Sequence, residues 1–276
     1  MSPPSALSGE APLARIPGLE YLVRRSDGIA VGEWRGFALE SAFQPIFRFA
    51  AGKLEVMGFE GLLRPSLNGK PVAPMLFFAD VPPQERVQVE TLARTLHLLN
   101  AGACLDPAAS VFVNFDPSLF VERAVSDLVL RDMRLVLREA DVSAERVVCE
   151  LTEQKSGSRG ALFGFVEALR AGGLRIAVDD YGSDESDIRR IEELMPDIVK
   201  FDGGLVKRLM NTGAGFGLLR KLTETFAARG IGTILEGIEE GWQVELAEKS
   251  GAEMVQGYAL ARPQLASLIG AGRKPD

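Results

Sequence analysis

Apolar runs and amphipathic stretches alternate along this chain from residue 43 onward, and their spacing predicts the elements of the fold. The apolar runs at 43–50 and 54–63 are separated only by Ala51, Gly52 and Lys53. A short connection that contains glycine, placed between two apolar runs, is typical of a β-hairpin. We therefore expect two antiparallel strands at the start of the domain.

After this hairpin, strand patterns and helical patterns take turns. Strands are predicted over 111–115, 147–151, 174–179, 198–201, 233–236 and 253–256. Helices are predicted over 84–100, 121–139, 161–171, 186–194 and 243–250, with one long helix that ends at 229. With the hairpin this makes about eight strands, the number at which a barrel closes over a packed interior. The predicted fold class is α/β, a (β/α)8 TIM-like barrel; a doubly wound open sheet is the alternative, because alternation alone does not decide closure.

The first 35 residues have a different texture, with mixed polar residues and four prolines, Pro3, Pro4, Pro12 and Pro17. We expect a leader over 1–35, partly disordered or packed as an extension, and a barrel domain over 36–276. The first ten residues lack the basic and apolar segments of a signal peptide, and no apolar run reaches the roughly 20 residues of a membrane span. These features predict a cytoplasmic protein without a membrane span.

Composition and charge narrow the function. The chain has 276 residues, 46% of them hydrophobic, and a formal net charge of -7, so we expect no duplex nucleic acid partner. The two cysteines, Cys104 and Cys149, are too few for a disulfide framework and are expected to be buried. The single histidine, His97, lies in a leucine-rich helical stretch, which indicates packing. Histidine-based triads and histidine-rich zinc sites are therefore excluded.

Nearly every predicted strand ends in a polar residue, and in a βα barrel these ends meet at one face. The residues are Glu60, Asn114, Glu150, Asp179, Asp180, Lys200, Glu236 and Gln256. Five converging carboxylates would repel one another without a cation, and oxygen ligands without Cys or His favour Mg²⁺ or Mn²⁺. A pair of such ions suits hydrolysis of a phosphodiester, with Lys200 as a donor near the attacking water or the developing charge.

These residues stand in short motifs whose order and spacing resemble one family, the EAL-domain cyclic di-GMP phosphodiesterases, over about 43–263. The opening motif is Phe43-Gln44-Pro45-Ile46, followed by Glu60-Gly61-Leu62-Leu63-Arg64, with Gly61 where the family name has Ala. The remaining motifs are Asn114, Glu150-Leu151-Thr152-Glu153, Asp179-Asp180-Tyr181-Gly182, Lys200-Phe201-Asp202, Glu236-Gly237-Ile238-Glu239 and Gln256-Gly257-Tyr258. The resemblance implies a barrel whose first strand is antiparallel, in agreement with the hairpin.

The resemblance also implies roles for individual residues. Two ions, Mg²⁺ or Mn²⁺, would be held by Glu60, Asn114, Glu150, Asp179, Asp180 and Glu236. Catalysis would rest on Lys200 with Glu60, Asp180 and Glu236, while the substrate side would include Gln44, Arg64, Gln256 and Asp202. Glu239 and Ser183 would lie in the loops around the metals. The implied reaction is hydrolysis of cyclic di-GMP to linear pGpG, by a protein that forms a homodimer.

Two departures from the family pattern leave alternatives open. Gly61 is expected to point at a helix and to lose only packing, because its neighbour Glu60 points into the site. The loop after Asp180 carries three acidic residues within 183–187, which indicates either a helix cap or a retuned loop.

Two other functions remain alternatives: a cyclic di-GMP receptor or protein-interaction barrel without strong catalysis, and a phosphohydrolase for another nucleotide.

Overall fold

The computed structural model describes residues 19–119, 123–151, 159–183 and 188–272. The strands are β1 (Leu22–Arg24), β2 (Ala30–Trp34), β3 (Phe37–Ala50), β4 (Lys53–Leu67), β5 (Lys70–Pro71), β6 (Ser110–Phe115), β7 (Val147–Leu151), β8 (Arg175–Tyr181), β9 (Ile198–Phe201), β10 (Gly232–Leu235), β11 (Met254–Val255) and β12 (Gln264–Leu265). The helices are α1 (Pro74–Asp80), α2 (Arg86–Cys104), α3 (Arg123–Glu139), α4 (Arg159–Ala171), α5 (Ile188–Leu194), α6 (Gly203–Met210), α7 (Gly213–Ala227), α8 (Gly241–Lys249) and α9 (Ala266–Gly272).

Eight of these strands close into a barrel in the order β3, β4, β6, β7, β8, β9, β10 and β11. The ring closes where β11 pairs with β3, with Met254 opposite Arg48. This pairing excludes the open sheet and confirms the barrel. β3 is antiparallel to both of its barrel neighbours, whereas the other neighbouring pairs are parallel. The predicted antiparallel first strand is thus confirmed.

The hairpin that opens the barrel is longer than its apolar runs. β3 and β4 pair from Phe37 opposite Leu67 to Ala50 opposite Lys53. The turn between them uses Ala51 at φ 48° and Gly52 at φ 76°, a left-handed conformation that glycine adopts without strain. The outer end of β3 also pairs with β2, so residues before the barrel extend the same sheet. The two strands therefore reach beyond the ring that they help to close.

The segment before β3 is packed on the barrel in its described part. Leu19, Leu22, Ile29 and Trp34 are buried in the main apolar core. Asn100 on α2 holds β2 with its side chain, which accepts from Ala30 N at 2.7 Å and donates to Ala30 O at 3.0 Å. These contacts fasten β2 to the helix layer.

The prediction of one long helix that ends at 229 was wrong, since the structure has two helices there, α6 and α7. Asp202 caps α6, where its Oδ1 accepts a hydrogen bond from Leu205 N at 2.9 Å. Thr212 caps α7 by accepting one from Gly215 N at 3.0 Å. Each cap satisfies a backbone N–H that a helix start leaves open, so the second cap begins a new helix. None of the helices in the described residues is both long enough and apolar enough to cross a membrane.

Candidate active site

The inward-facing side chains of the barrel form two layers. The lower layer is an apolar cluster of Ile46, Phe112, Val148, Ala177, Ile198, Ile234 and Met254. Side chains two positions apart on a strand share a face. A second layer lies two residues further toward the C-terminal end of each parallel strand, and two residues earlier on β3. Its residues are Gln44, Asn114, Glu150, Asp179, Lys200, Glu236 and Gln256. On β4, Glu60 stands two residues beyond Gly58, whose added Cβ would meet the Phe112 ring. The barrel thus has an apolar interior and a polar upper layer. We call its carboxylates, together with the adjacent Asp180, the acidic layer: Glu60, Glu150, Asp179, Asp180 and Glu236.

Lys200 lies at the centre of this polar layer. Its Nζ is 2.6 Å from Glu150 Oε1, 2.7 Å from Glu236 Oε1, 3.1 Å from Asp179 Oδ1 and 3.8 Å from Glu60 Oε2. The Lys200 side chain is only 1% exposed. Burial lowers the pKa of its ammonium group, but the surrounding carboxylates outweigh burial and raise that pKa well above its ordinary value. Lys200 therefore stays charged and holds four carboxyl groups together.

Glu60 is held from a second direction by Gln256. Gln256 Nε2 donates to Glu60 Oε2 at 2.7 Å, which links β4 to β11 across the strand β3. Both residues line an open cavity of about 330 Å³ together with Gln44, Glu236 and Tyr258. Gln44 Nε2 donates to Ala261 O at 3.3 Å. This cavity gives a ligand access to the acidic layer.

Asp179 and Asp180 are adjacent on β8, so regular alternation would turn their side chains to opposite faces. The pairing of β8 with β9 shifts register between Val178 and Tyr181, and Asp180 has φ 57°. This irregularity lets both carboxylates approach Glu236, and one oxygen of each of the three residues lies within 4.8 Å of the others. A bulge in a strand thus builds a three-carboxylate group suited to a cation.

Several of these carboxyl groups resist ionisation in the metal-free protein. Burial, with the charges of Asp179 and Glu60, raises the pKa of Glu236 to about 8 against the opposing effect of Lys200. Burial and Asp179 raise the pKa of Asp180 to about 6. The pKa of Glu150 is also raised well above its ordinary value, chiefly by burial. Burial is the largest cause for all three groups, and the negative charge of the neighbouring carboxylates adds to it.

The residues fit divalent cations. Glu150 Oε2 is buried and has no hydrogen-bond partner among the residues that the structure describes. Buried carboxylate oxygens normally bind a donor or a metal. The donors are oxygen atoms without a histidine or cysteine, the set that Mg²⁺ and Mn²⁺ prefer.

Three other predicted site residues lie outside the contacts described around Lys200. Asn114 is exposed and stands opposite Glu150 in the pairing of β6 with β7. It shares a cavity of about 250 Å³ with Arg64, whose Nη1 donates to Leu63 O at 3.0 Å. The helix-cap residue Asp202 is half-buried at the start of α6. The structure therefore gathers the carboxylates and Lys200 more closely than Asn114, Arg64 or Asp202.

The loop residues differ in how far the structure describes them. Ser183 is exposed, and its backbone N–H donates to Asp180 O at 3.0 Å. Glu239 is exposed and lies 3.8 Å from Lys207 Nζ through Oε2. The acidic positions 184–187 lie outside the described residues, so the choice between a helix cap and a retuned loop stays open.

An ion pair that sequence reasoning missed lines the cavity beside Arg64. Glu90 Oε2 and Arg94 Nη1 on α2 are 3.4 Å apart, with side chains only 13% and 7% exposed. The Arg94 guanidinium also lies over the Phe115 ring, 4.2 Å from its centroid. The signal was present as two opposite charges four residues apart within an apolar helix pattern.

The chain matches known proteins over most of its length. Residues 35–263 match the EAL domain family. It is 26% identical over 181 residues to the probable cyclic di-GMP phosphodiesterase PdeA of Escherichia coli K12, covering 65% of this chain and 24% of that protein. It is 27% identical over 221 residues to the EAL-domain containing protein YkuI of Bacillus subtilis, covering 78% of this chain and 53% of that protein.

Solved structures agree with the fold. Klebsiella pneumoniae BlrP1, in complex with calcium and cyclic di-GMP, superposes with a TM-score of 0.72 at 24% identity, covering 83% of this chain and 56% of that chain. A standalone EAL protein of Vibrio cholerae O395 bound to cyclic di-GMP has a TM-score of 0.72 at 23% identity, covering 83% of this chain and 94% of that chain. The chain spans only about a quarter of the length of PdeA. With a match that extends from before β3 to beyond β11, this chain belongs to the EAL domain family.

Proposed function

We propose that this protein is a metal-dependent phosphodiesterase that hydrolyses cyclic di-GMP to linear pGpG. The observation that carries the proposal is the buried Lys200 surrounded by carboxylates at the C-terminal end of the barrel, where βα barrels bind substrates. The relatives support the substrate: PdeA is described as a probable cyclic di-GMP phosphodiesterase, and BlrP1 binds cyclic di-GMP with calcium or manganese.

The proposed cofactor is a pair of Mg²⁺ or Mn²⁺ ions. Their ligands would be Glu60, Asn114, Glu150, Asp179, Asp180 and Glu236. When bound, such ions supply an activated water and neutralise the charge that develops on the leaving oxygen. Asn114 would have to turn from its exposed position to take part, whereas Asp179, Asp180 and Glu236 already lie close together.

The other residues prepare the site and hold the substrate. Gln256 fixes one Glu60 oxygen, so the second oxygen stays available to a cation. Lys200 would donate a hydrogen bond to the attacking water or to the charge that forms on the phosphate. Arg64 and Gln44 would contact the substrate, since a guanidinium can grip a phosphate with two hydrogen bonds.

One experiment tests the proposal. The purified protein is incubated with cyclic di-GMP and Mn²⁺ or Mg²⁺, with a parallel sample in EDTA, and the products are resolved by chromatography. We expect linear pGpG with metal and none with EDTA. Binding of cyclic di-GMP without turnover would replace the enzyme by a receptor. Turnover of another cyclic nucleotide alone would overturn the choice of substrate.

The remaining features are proposed on the same footing. The proposed barrel domain spans residues 36–276, and the proposed leader spans residues 1–35. We also propose a homodimer and a cytoplasmic location. Light scattering with size-exclusion chromatography tests the dimer, and a monomer at micromolar concentration would contradict it.

A further inference from the structure

The glycine that departs from the family's signature faces an unusually close neighbour. An added Cβ at Gly61 would lie 2.9 Å from His97 Cγ, 3.0 Å from His97 Cβ and 3.2 Å from His97 Cδ2. Carbon atoms in contact prefer about 3.5–4.0 Å. Gly61 therefore does point at helix α2 as expected, but the expected loss of packing is wrong, because the His97 side chain fills the space.

The His97 ring has little freedom to withdraw. It is 4% exposed, and its Nδ1 is 2.8 Å from Ser41 Oγ. Asn100 Nδ2 donates to the same Ser41 Oγ at 3.1 Å, so the Ser41 hydroxyl can donate its proton to Nδ1. Asn100 is in turn bonded to the backbone of Ala30. The ring is thus held by hydrogen bonds that join β2, β3 and α2.

The contact between Gly61 and His97 is one residue away from Glu60 of the acidic layer. Glu60 precedes Gly61 on β4 and stands opposite Gln44 on β3. Its Oε2 takes the hydrogen bond from Gln256 and faces Lys200 at 3.8 Å. A side chain at position 61 would push β4 away from α2, because the nearest atom, His97 Cγ at 2.9 Å, is held in place by the hydrogen bond of the ring to Ser41. A shift of about 0.5–1 Å is the size that misplaces a functional group.

We propose that His97 is a positioning residue that sets the place of Glu60 through its contact with Gly61. The two residues are matched in size, and the glycine in the signature is required by the histidine on α2. This inference rests on the proposed function in so far as Glu60 is a metal ligand. It implies that alanine, the residue in the family's name, displaces Glu60 when placed at position 61 of this chain, unless His97 is also replaced by a smaller residue.

The test is a double-mutant cycle on the full chain with Gly61→Ala, His97→Ala and the double variant. Mn²⁺ affinity is measured by calorimetry, and kcat and KM are measured with cyclic di-GMP. We expect Gly61→Ala to lower kcat on the order of ten- to a hundredfold and to weaken Mn²⁺ binding severalfold. The double variant should recover at least about fivefold in kcat over Gly61→Ala. In the double variant the β-carbons of residues 61 and 97 would be 3.0 Å apart. A small shift of α2 relieves this contact, and the loss of the hydrogen bond to Ser41 allows that shift.

Gly164→Ala on α4 is the control, because an added Cβ there meets nothing within 4 Å. It should leave kcat and Mn²⁺ affinity unchanged. Wild-type kcat and Mn²⁺ affinity in Gly61→Ala would overturn the inference while the proposed function stands, and so would a double variant as impaired as Gly61→Ala. If Gly61→Ala fails to fold, recovery of folding and turnover by the double variant supports the pair, and failure of both overturns it. A wild type without turnover defeats the proposed function alone, since the Mn²⁺ titrations still decide the role of His97.

Discussion

Replacement of Lys200 by alanine removes the only cation in contact with the acidic layer among the described residues. Removal of one partner from a buried ion pair costs about 3–5 kcal/mol, because the other charge stays buried without compensation. Lys200 and Glu150 meet this condition, with side chains 1% and 0% exposed. About 2–4 °C of Tm is lost per kcal/mol in a chain of this size. The metal-free variant should therefore unfold roughly 6–20 °C below the wild type at pH 8.

The loss of Tm in Lys200→Ala should depend on pH and on bound metal. Lys200 lowers the pKa of both Glu150 and Glu236, so its loss raises those folded-state values further. A carboxyl group whose folded pKa is raised contributes stability below its unfolded pKa and loses it as pH rises through the folded value. The difference in Tm should be small near pH 5 and largest near pH 8. Mn²⁺ should reduce it, because the ion supplies the missing positive charge.

Thermal unfolding in EDTA at pH 5 and pH 8, repeated with Mn²⁺, measures these effects. Lys207→Ala is the matched control, since Lys207 is an exposed lysine 3.8 Å from Glu239 Oε2. It should change Tm by no more than about 4 °C, because an exposed ion pair contributes at most about 1 kcal/mol. Turnover in Lys200→Ala should be lost, while cyclic di-GMP binding changes much less. A metal-free Lys200→Ala protein as stable as the wild type at pH 8 would show that Lys200 does not neutralise the buried carboxyl groups.

Further predictions concern the acidic groups and the ions. Glu60→Ala and Glu236→Ala should each abolish hydrolysis with an unchanged circular dichroism spectrum, because both residues lie at the open end of the barrel; normal turnover in both would contradict the metal assignment. Glu236→Gln should raise the metal-free Tm at pH 8, since the fold raises the pKa of Glu236 to about 8 and so favours the neutral side chain; a lower Tm would count against this. Metal-free wild type should lose stability from about pH 4.5 to pH 8, as raised carboxyl pKa values require, and Mn²⁺ should diminish that loss. Ca²⁺ should support cyclic di-GMP binding but not hydrolysis, because its longer and looser coordination misplaces the water; equal rates with Ca²⁺ and Mg²⁺ would argue against the mechanism.

The barrel and its acidic layer follow from sequence because both depend on local periodicity. Alternation along each strand fixes which residues face inward, and the carboxyl ends of parallel strands meet at one face. The positions of Glu150 and Lys200 in this layer follow from that periodicity alone. Sequence reasoning also assigns Lys200 a part in the reaction, but it does not reveal the ion pairs with several carboxylates at once, since these depend on how strands distant in sequence are arranged.

Features that depend on irregular backbone or long-range contact could not be predicted. The bulge that brings Asp179 and Asp180 together arises from a register shift against β9, which no pattern within β8 encodes. The match of Gly61 with His97 requires the packing of α2 against β4. The pairing of β2 with β3 likewise joins Gly32, Glu33 and Trp34, from the expected leader, to the barrel sheet. In each case the deciding neighbour lies on another element.

We propose that the acidic layer binds divalent ions and uses them to hydrolyse cyclic di-GMP. The most direct measurement is a chromatographic time course with purified protein, cyclic di-GMP and Mn²⁺, compared with Lys200→Ala and with EDTA. We expect linear pGpG to accumulate only with the metal-supplied wild type. Intact cyclic di-GMP in the wild-type sample, under conditions where calorimetry shows that both Mn²⁺ and cyclic di-GMP are bound, would contradict it.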